Sequence, residues 1–180
     1  DMIVNTGDTA HTKLQLSPAY FSMAAKLFEN LADIAPYHMI LGNHDLNLKN
    51  PDKIDAITPI VEALKHPNIH FHKAAGTFDV DDFRFHVLSI LEEDNWPEPT
   101  DQSKVNVALY HGCVSGVKTD IGFVLHDGDK TTKDFKKFDY SMLGDIHKSN
   151  QILDLKGKIR YAGSLCQNNH GETNDKGFLL

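Results

Sequence analysis

The feature that most constrains this chain is a recurring pattern in which a short apolar strand ends at a side chain able to bind a divalent metal. Four predicted strands show this pattern. The residues at their ends are Asp8, Asn43, His111 and the pair Asp145 and His147. In open α/β sheets, ligands collect beyond the carboxyl ends of strands, so residues far apart in sequence meet there. Glycine precedes three of these positions and allows a sharp backbone turn. The pattern predicts an α/β fold with a metal site at the strand ends.

The first third of the chain alternates strand and helix signals, which favours α/β architecture over a helical bundle or a β-sandwich. Residues 2–5 and 37–41 are predicted strands, and residues 18–34 and 54–65 are predicted helices. Ser17 and Pro18 suit the cap and the first position of the longer helix. Helical spacing predicts that its buried stripe consists of Tyr20, Ala24, Leu27, Leu31 and Ile34.

Short alternating segments dominate the rest of the chain. Residues 77–80 and 83–90 are predicted antiparallel partners, and residues 151–155 and 159–162 are a predicted hairpin. Further strands are predicted at residues 105–110, 140–143 and 177–180. Because neither a repeat nor a linker interrupts the pattern, the 180 residues are expected to form one domain.

The charge and composition of the chain limit the kinds of molecule that it can bind and the compartment in which it is expected. With 18 Lys and Arg against 25 Asp and Glu, the formal net charge is −7. Non-specific nucleic-acid binding depends on basic side chains that neutralise phosphates, so any affinity for phosphate has to be local. No apolar run approaches the ~18 residues of a membrane span, so no membrane partner is expected. Cys113 and Cys166 are too few for a disulfide framework, which favours a reducing, cytoplasmic location.

The chemistry of the strand-end residues indicates the type of metal. A mixture of carboxylate, amide oxygen and imidazole suits Mn²⁺, Fe²⁺ or Zn²⁺ better than a thiolate site would. Taken singly, each residue has a plainer interpretation: Asp8 as a turn residue, His111 as a hydrogen-bonded core histidine, Asp145 as a helix cap. Their occurrence in this order after successive strands favours a metal site.

The motifs that carry these residues resemble those of the calcineurin-like metallophosphoesterases, and their order matches. They are Gly7-Asp8, Gly42-Asn43-His44-Asp45, His111-Gly112 and Gly144-Asp145-Ile146-His147. The resemblance implies that Asp8 bridges two metals, that Asn43 and His111 bind the second, and that the closing motif places one ligand on each metal. It implies that His44 protonates the leaving group or stabilises the transition state. The implied fold is a four-layer α/β/β/α sandwich with mixed sheets.

Two departures from the family pattern affect the expected metal content. The opening Asp-x-His motif is not in the sequence, so we expect residues 1–180 to be a catalytic domain that lacks this N-terminal strand and a C-terminal capping domain. Asp145 stands where the family usually has histidine, and an anionic oxygen favours harder ions. The expected cofactors are therefore two divalent ions, with Mn²⁺ favoured and Mg²⁺, Fe²⁺ or Zn²⁺ as alternatives.

Within that superfamily, the chain resembles most the SbcD-type nuclease subunits of DNA repair complexes. The segments that carry this resemblance are Gly7 to His11, Asp145 to Lys148, Tyr161 to Ser164, Gln167 to Glu172 and Lys176 to Phe178. The resemblance implies phosphodiester hydrolysis on DNA, an SbcC-type ATPase partner and a homodimer. His11, in the loop after Asp8, is a candidate contact to nucleic acid.

Two other functions fit parts of the sequence. A phosphomonoesterase or cyclic-nucleotide phosphodiesterase would keep the chemistry and change the substrate. A non-catalytic fragment that binds DNA or a partner would account for the missing opening motif. The histidines outside the motifs are expected to be surface or packing residues, Cys113 a small buried side chain, and the lysines of residues 130–137 a solvated face.

Overall fold

A computed structural model of the chain describes residues 1–11 and 16–180, and their strands form two sheets. The first sheet has the order β1-β2-β3, with all neighbours parallel. Its strands and the helices between them are β1 (Ile3–Asn5), α1 (Pro18–Ile34), β2 (Tyr37–Ile40), α2 (Thr58–Leu64) and β3 (Ile69–His72). The predicted alternation of strand and helix is confirmed, and β3 is a parallel strand that the sequence pattern did not predict.

Helix α1 has the predicted bounds, but its buried line differs from the predicted one. The Ser17 side chain caps the helix by accepting the backbone N–H of Tyr20. The fully buried residues are Ala24, Phe28 and Ala32, whereas Ile34 is 76% exposed, so its predicted burial is wrong. The contact line runs in steps of four residues, and position 34 lies about 200° around the helix from position 32.

Helix α2 is shorter than predicted because a side chain holds the preceding turn. Asp55 accepts the backbone N–H groups of Ile57 and Thr58 at 2.9 and 2.7 Å and pairs with Lys73 at 2.9 Å. These bonds stop the helix from extending back to residue 54, since an Asp that bonds to nearby N–H groups favours a helix start.

The second sheet has the order β4-β5-β6-β7-β9-β8, with antiparallel pairs at both edges and parallel strands inside. Its strands are β4 (Gly76–Val80), β5 (Phe83–Leu88), β6 (Val105–His111), β7 (Tyr140–Gly144), β8 (Gln151–Ile152) and β9 (Ile159–Tyr161). The predicted antiparallel pair and hairpin are confirmed. Residues 177–180 do not form the predicted strand; Phe178 and Leu180 are exposed, so no buried face stabilises strand pairing there.

Three apolar clusters separate the layers of the fold. The first lies between α1, α2 and the three-stranded sheet, and the second lies between the two sheets. The third covers the outer face of the larger sheet and includes Phe135 of the short helix α3 (Thr132–Phe135). The predicted four-layer α/β/β/α arrangement with parallel and antiparallel strands is confirmed. Among the described residues, no helix is long and apolar enough to cross a membrane.

The groups without a predicted catalytic role mostly serve packing. His38 is buried and its ring stacks on Phe78, while His38 Nδ1 and His72 Nε2 lie 3.0 Å apart. Lys130 lies 2.7 Å from Glu93 and 4.6 Å from the ring centre of Trp96 and is mostly covered, whereas the other lysines of residues 130–137 are exposed, as expected of a solvated face.

Candidate metal centre

The ends of β1, β2, β6 and β7 bring the predicted ligands to one place. Carboxylate oxygens of Asp8 and Asp145 and a ring nitrogen of His111 all lie within 4.8 Å of one another. His111 Nε2 is 3.3 Å from Asp8 Oδ1 and 3.7 Å from Asp145 Oδ1. Residues separated by more than one hundred positions in sequence therefore face a common point.

Asn43 completes this group through its amide side chain. Its Nδ2 donates to Asp145 Oδ1 at 3.3 Å, and this bond orients the amide. Among the described residues, buried Asn43 Oδ1 and buried His111 Nε2 have no hydrogen-bond partner. Because buried polar atoms normally have partners, two such atoms beside two carboxylates fit a divalent cation as the missing partner.

A backbone hydrogen bond sets the orientation of His111. Its Nδ1 lies 2.7 Å from the carbonyl oxygen of Thr6, which can only accept. Nδ1 therefore carries the proton, and Nε2 is the nitrogen that faces the two carboxylates. This geometry is typical of a metal-ligating histidine, whose second ring nitrogen is held by an acceptor.

The main chain at both carboxylates adopts a conformation that non-glycine residues rarely take. Asp8 has φ 61° and Asp145 has φ 95°. Non-glycine residues with positive φ cost of the order of 1–3 kcal/mol each and persist where the surroundings impose them. Both residues whose oxygens face His111 therefore carry backbone strain.

Asp45 holds the strained Asp8 turn and was assigned no role by the sequence pattern. Its carboxylate accepts the backbone N–H groups of Asp8, Ala10 and Gly42 at 2.9, 2.8 and 2.9 Å, and the residue is 1% exposed. A buried Asp directly after the Asn43-His44 pair was the available signal.

Burial and neighbouring charges shift the pKa values of the carboxylates at this site. Burial acts to raise the pKa of Asp8, but the adjacent His111 imidazole and the backbone N–H of His44 hold that pKa below its ordinary value. Burial raises the pKa of Asp145, and the neighbouring charge of Asp8 adds to the increase. Burial also raises the pKa of Asp45 to about 6 against its three N–H donors. A divalent ion would neutralise this group of carboxylates.

His44 lies beside the converging ligands, with its ring held at one nitrogen. Its backbone N–H donates to Asp8 Oδ1 at 2.8 Å, and its ring Nδ1 lies 2.8 Å from the carbonyl oxygen of His11. The His11 and His44 rings are nearly parallel, with centres 6.3 Å apart. The geometry leaves His44 Nε2 as the nitrogen available for a reacting group.

His147 does not belong to the converging group of three. It lies in the loop after β7, its side chain is 43% exposed, and its Nδ1 is 2.7 Å from Glu172 Oε1. A cleft of about 300 Å³ connects it to Asp145, and Ile121 and Glu172 also line that cleft. Glu172 was missed as a residue of the site because the sequence pattern gave it no strand-end position.

Comparisons with known proteins show which family the chain is similar to. The family model described as calcineurin-like phosphoesterase matches residues 1–149. An uncharacterized protein of Acanthamoeba polyphaga mimivirus is 37% identical over 96% of the chain, which spans 14% of that protein. Exonuclease subunit 1 of Enterobacteria phage T4 is 25% identical over 98% of the chain, which spans 51% of that protein.

Proposed function

The chain belongs to the calcineurin-like phosphoesterase family, and we propose that it is the catalytic core of a nuclease that hydrolyses phosphodiester bonds in DNA. Family membership implies a metal-dependent hydrolase of phosphate esters. The observation that carries the proposal is the convergence of Asp8, His111 and Asp145 beside the unpartnered oxygen of Asn43. Similarity to a phage exonuclease subunit supports DNA as the substrate.

The proposed ligands fall into two groups that share Asp8. Asn43, His111 and Asp145 would join Asp8 around one ion, and His147 would join Asp8 around the other. Two carboxylates and an amide oxygen make the first group rich in hard donors, which supports Mn²⁺ as the favoured ion over Zn²⁺. Bound divalent ions neutralise the phosphodiester and lower the pKa of water, which supplies the nucleophile.

His44 is the proposed general acid. Because the carbonyl of His11 accepts from Nδ1, a protonated His44 presents Nε2–H to the departing 3′ oxygen and donates its proton as the P–O bond breaks. The Asp8 carboxylate accepts the His44 backbone N–H at 2.8 Å, which fixes the ring close to the ligands. His11, exposed and nearly parallel to His44, is the proposed substrate contact.

The phage relative is one subunit of an exonuclease, which supports a role for this chain in a larger complex. We propose that the protein works with an ATPase subunit of the SbcC type and as a homodimer. The negative net charge of the chain fits this arrangement, because DNA affinity is then concentrated at the metal centre and in the partner rather than spread over its surface.

The test compares three proteins in Mn²⁺: the parent, His44→Gln and His126→Gln, which changes an exposed loop histidine. The substrates are linear DNA, a small aryl phosphate and a cyclic nucleotide. The expected result is cleavage of linear DNA by the parent and by His126→Gln, with loss of about 10²- to 10⁴-fold in His44→Gln, the usual contribution of a general acid. Mn²⁺ affinity, measured by calorimetry, is expected to be unchanged in His44→Gln because His44 is not a ligand.

Each competing function has its own outcome. Faster turnover of a small aryl phosphate or a cyclic nucleotide than of DNA would overturn the choice of substrate. Mn²⁺ binding without hydrolysis of any of these substrates would favour a non-catalytic binding fragment. Equal DNA cleavage by the parent and His44→Gln would remove His44 from the mechanism.

A further inference from the structure

The backbone of His147 is held by a distant segment rather than by a strand. Residues 145–150 follow β7 without regular structure. The carbonyl oxygen of His147 accepts the backbone N–H of Ser164 at 3.1 Å and the ammonium group of Lys176 at 2.8 Å. Contacts from residues 164–177 therefore fix the backbone position of His147.

The same segment supplies a buried carboxylate to the His147 ring. Glu172 Oε1 is 2.7 Å from His147 Nδ1, and the Glu172 side chain is only 5% exposed. Three further donors hold that carboxylate: the side chain of Asn169 at 2.8 Å, the backbone N–H of Asn168 at 3.0 Å and Lys176 Nζ at 3.1 Å. Because these donors fix its orientation, the Glu172 carboxylate is well placed to accept a hydrogen bond from the imidazole N–H.

Lys176 connects the two halves of this arrangement. Its ammonium group also pairs with Asp120 at 3.2 Å, and the Lys176 and Asp120 side chains are 5% and 6% exposed. Burying charges is costly unless they are paired, so the group is stable only when all of its members are in place. The arrangement thus fixes both the carbonyl and the ring of His147.

In each of the three histidines of the site, the ring Nδ1 lies next to an oxygen acceptor. His111 donates from Nδ1 to the carbonyl of Thr6, and His44 Nδ1 lies against the carbonyl of His11. In His147 the acceptor is a carboxylate rather than a carbonyl. A carboxylate partner fixes the tautomer and makes the opposite nitrogen a stronger metal ligand.

We propose that Glu172 is a positioning residue for His147: it accepts the Nδ1–H and thereby presents Nε2 to a divalent cation in the cleft shared with Asp145. This inference rests on the proposed function for the identity of the ion, although the tautomer it assigns to His147 does not depend on any ion. Lys176 and Asp120 keep Glu172 in place.

The first measurement is the tautomer of His147 in the parent protein, read from the ring ¹⁵N shifts by NMR at mildly alkaline pH without metal. The expected state is Nδ1–H with an unprotonated Nε2. In Glu172→Gln the side-chain oxygen is drawn to the donors from Asn168 and Lys176, and the NH₂ group then faces His147. The expected state in that variant is Nε2–H, which blocks the metal-binding nitrogen.

The second measurement is Mn²⁺ affinity by calorimetry in the parent, Glu172→Gln and the control Glu98→Gln. Glu98 also pairs with a lysine but its side chain is 64% exposed. We expect Glu172→Gln to weaken binding of the ion that His147 joins by about 10- to 100-fold, as loss of such partners does elsewhere, and Glu98→Gln to leave binding of both ions unchanged.

The outcomes separate this inference from the proposed function. An Nε2–H tautomer in the parent overturns the positioning role without the use of any variant, so a variant that fails to fold does not block the test. Equal affinity of the parent and Glu172→Gln for the ion that His147 joins also overturns it. A parent that has the Nδ1–H tautomer but does not bind Mn²⁺ would instead contradict the proposed function.

Discussion

The carboxylate of Asp45 accepts the backbone N–H of Asp8 at 2.9 Å and holds it at φ 61°. Because Asp45 also accepts from Ala10 and Gly42, Asp45→Ala leaves three donors without their partner. Each buried unsatisfied donor costs about 1–3 kcal/mol, so we expect a loss of at least about 3 kcal/mol in the free energy of unfolding, measured with urea. Asp52→Ala, at an exposed position, is the control, and an equal effect in both variants would contradict this role.

Gly42 allows β2 and the Asp8 turn to approach each other closely. A Cβ at position 42 would overlap the backbone nitrogen and the carboxylate of Asp8. We expect Gly42→Ala to displace Asp8 and weaken Mn²⁺ binding more than about tenfold, equivalent to ~1.4 kcal/mol. Calorimetry checks this, with Gly76→Ala as the control because a Cβ at position 76 meets nothing within 4 Å. Unchanged Mn²⁺ affinity in Gly42→Ala would contradict this prediction, because it would show that the Asp8 turn can shift without loss of metal binding.

Tyr161 fixes the chain just after His111. Its buried hydroxyl donates to the carbonyl of Gly112 at 2.6 Å and accepts the backbone N–H of Val114 at 2.9 Å. Tyr161→Phe removes both bonds and is expected to cost about 1–3 kcal/mol in the free energy of unfolding, since it leaves a buried donor without a partner. Tyr140→Phe changes a tyrosine that is 48% exposed, and it should cost far less; similar losses would argue against the bonds of Tyr161.

The pair His38 and His72 makes stability depend on pH. Burial, with the neighbouring histidine charges, lowers the pKa of each from 6.5 to about 4. The unfolded chain takes up protons near pH 6.5 while the folded chain does not, so stability is complete above that value and declines as the pH falls toward about 4. The slope is at most about 1.4 kcal/mol per pH unit for each histidine.

Urea unfolding over this pH range, with the parent, His38→Phe and His126→Gln, checks the prediction. His38→Phe removes one of the two groups and should reduce the slope, whereas the exposed His126 should not affect it. Comparing the slopes of the parent and the variant isolates the histidine contribution from other titrating groups. A slope in His38→Phe equal to that of the parent would contradict the assignment.

Local sequence patterns predicted the parts of the fold that depend on neighbouring residues. Ser17 and Pro18 set the start of α1. Alternation predicted β5 because successive side chains of a strand point to opposite faces, and a short apolar run predicted β6. β3 (Ile69–His72) was missed, since the alternating pattern predicted strands only from residue 77 onward. Its place beside β2 is decided by pairing across the sheet and by helix α2, which lies between them in sequence.

For the metal centre, the sequence by itself determined which side chains end the strands: Asp8, Asn43, His111 and Asp145 follow apolar runs in an order that already indicated their convergence. Only the tertiary structure decided which atoms of these residues face each other and which groups hold them. The acceptors that orient His111 and His147, namely Thr6 and Glu172, come from segments 105 and 25 residues away. Strand ends follow from local periodicity, but hydrogen-bond orientation and burial depend on distant chain segments that meet only in the folded molecule.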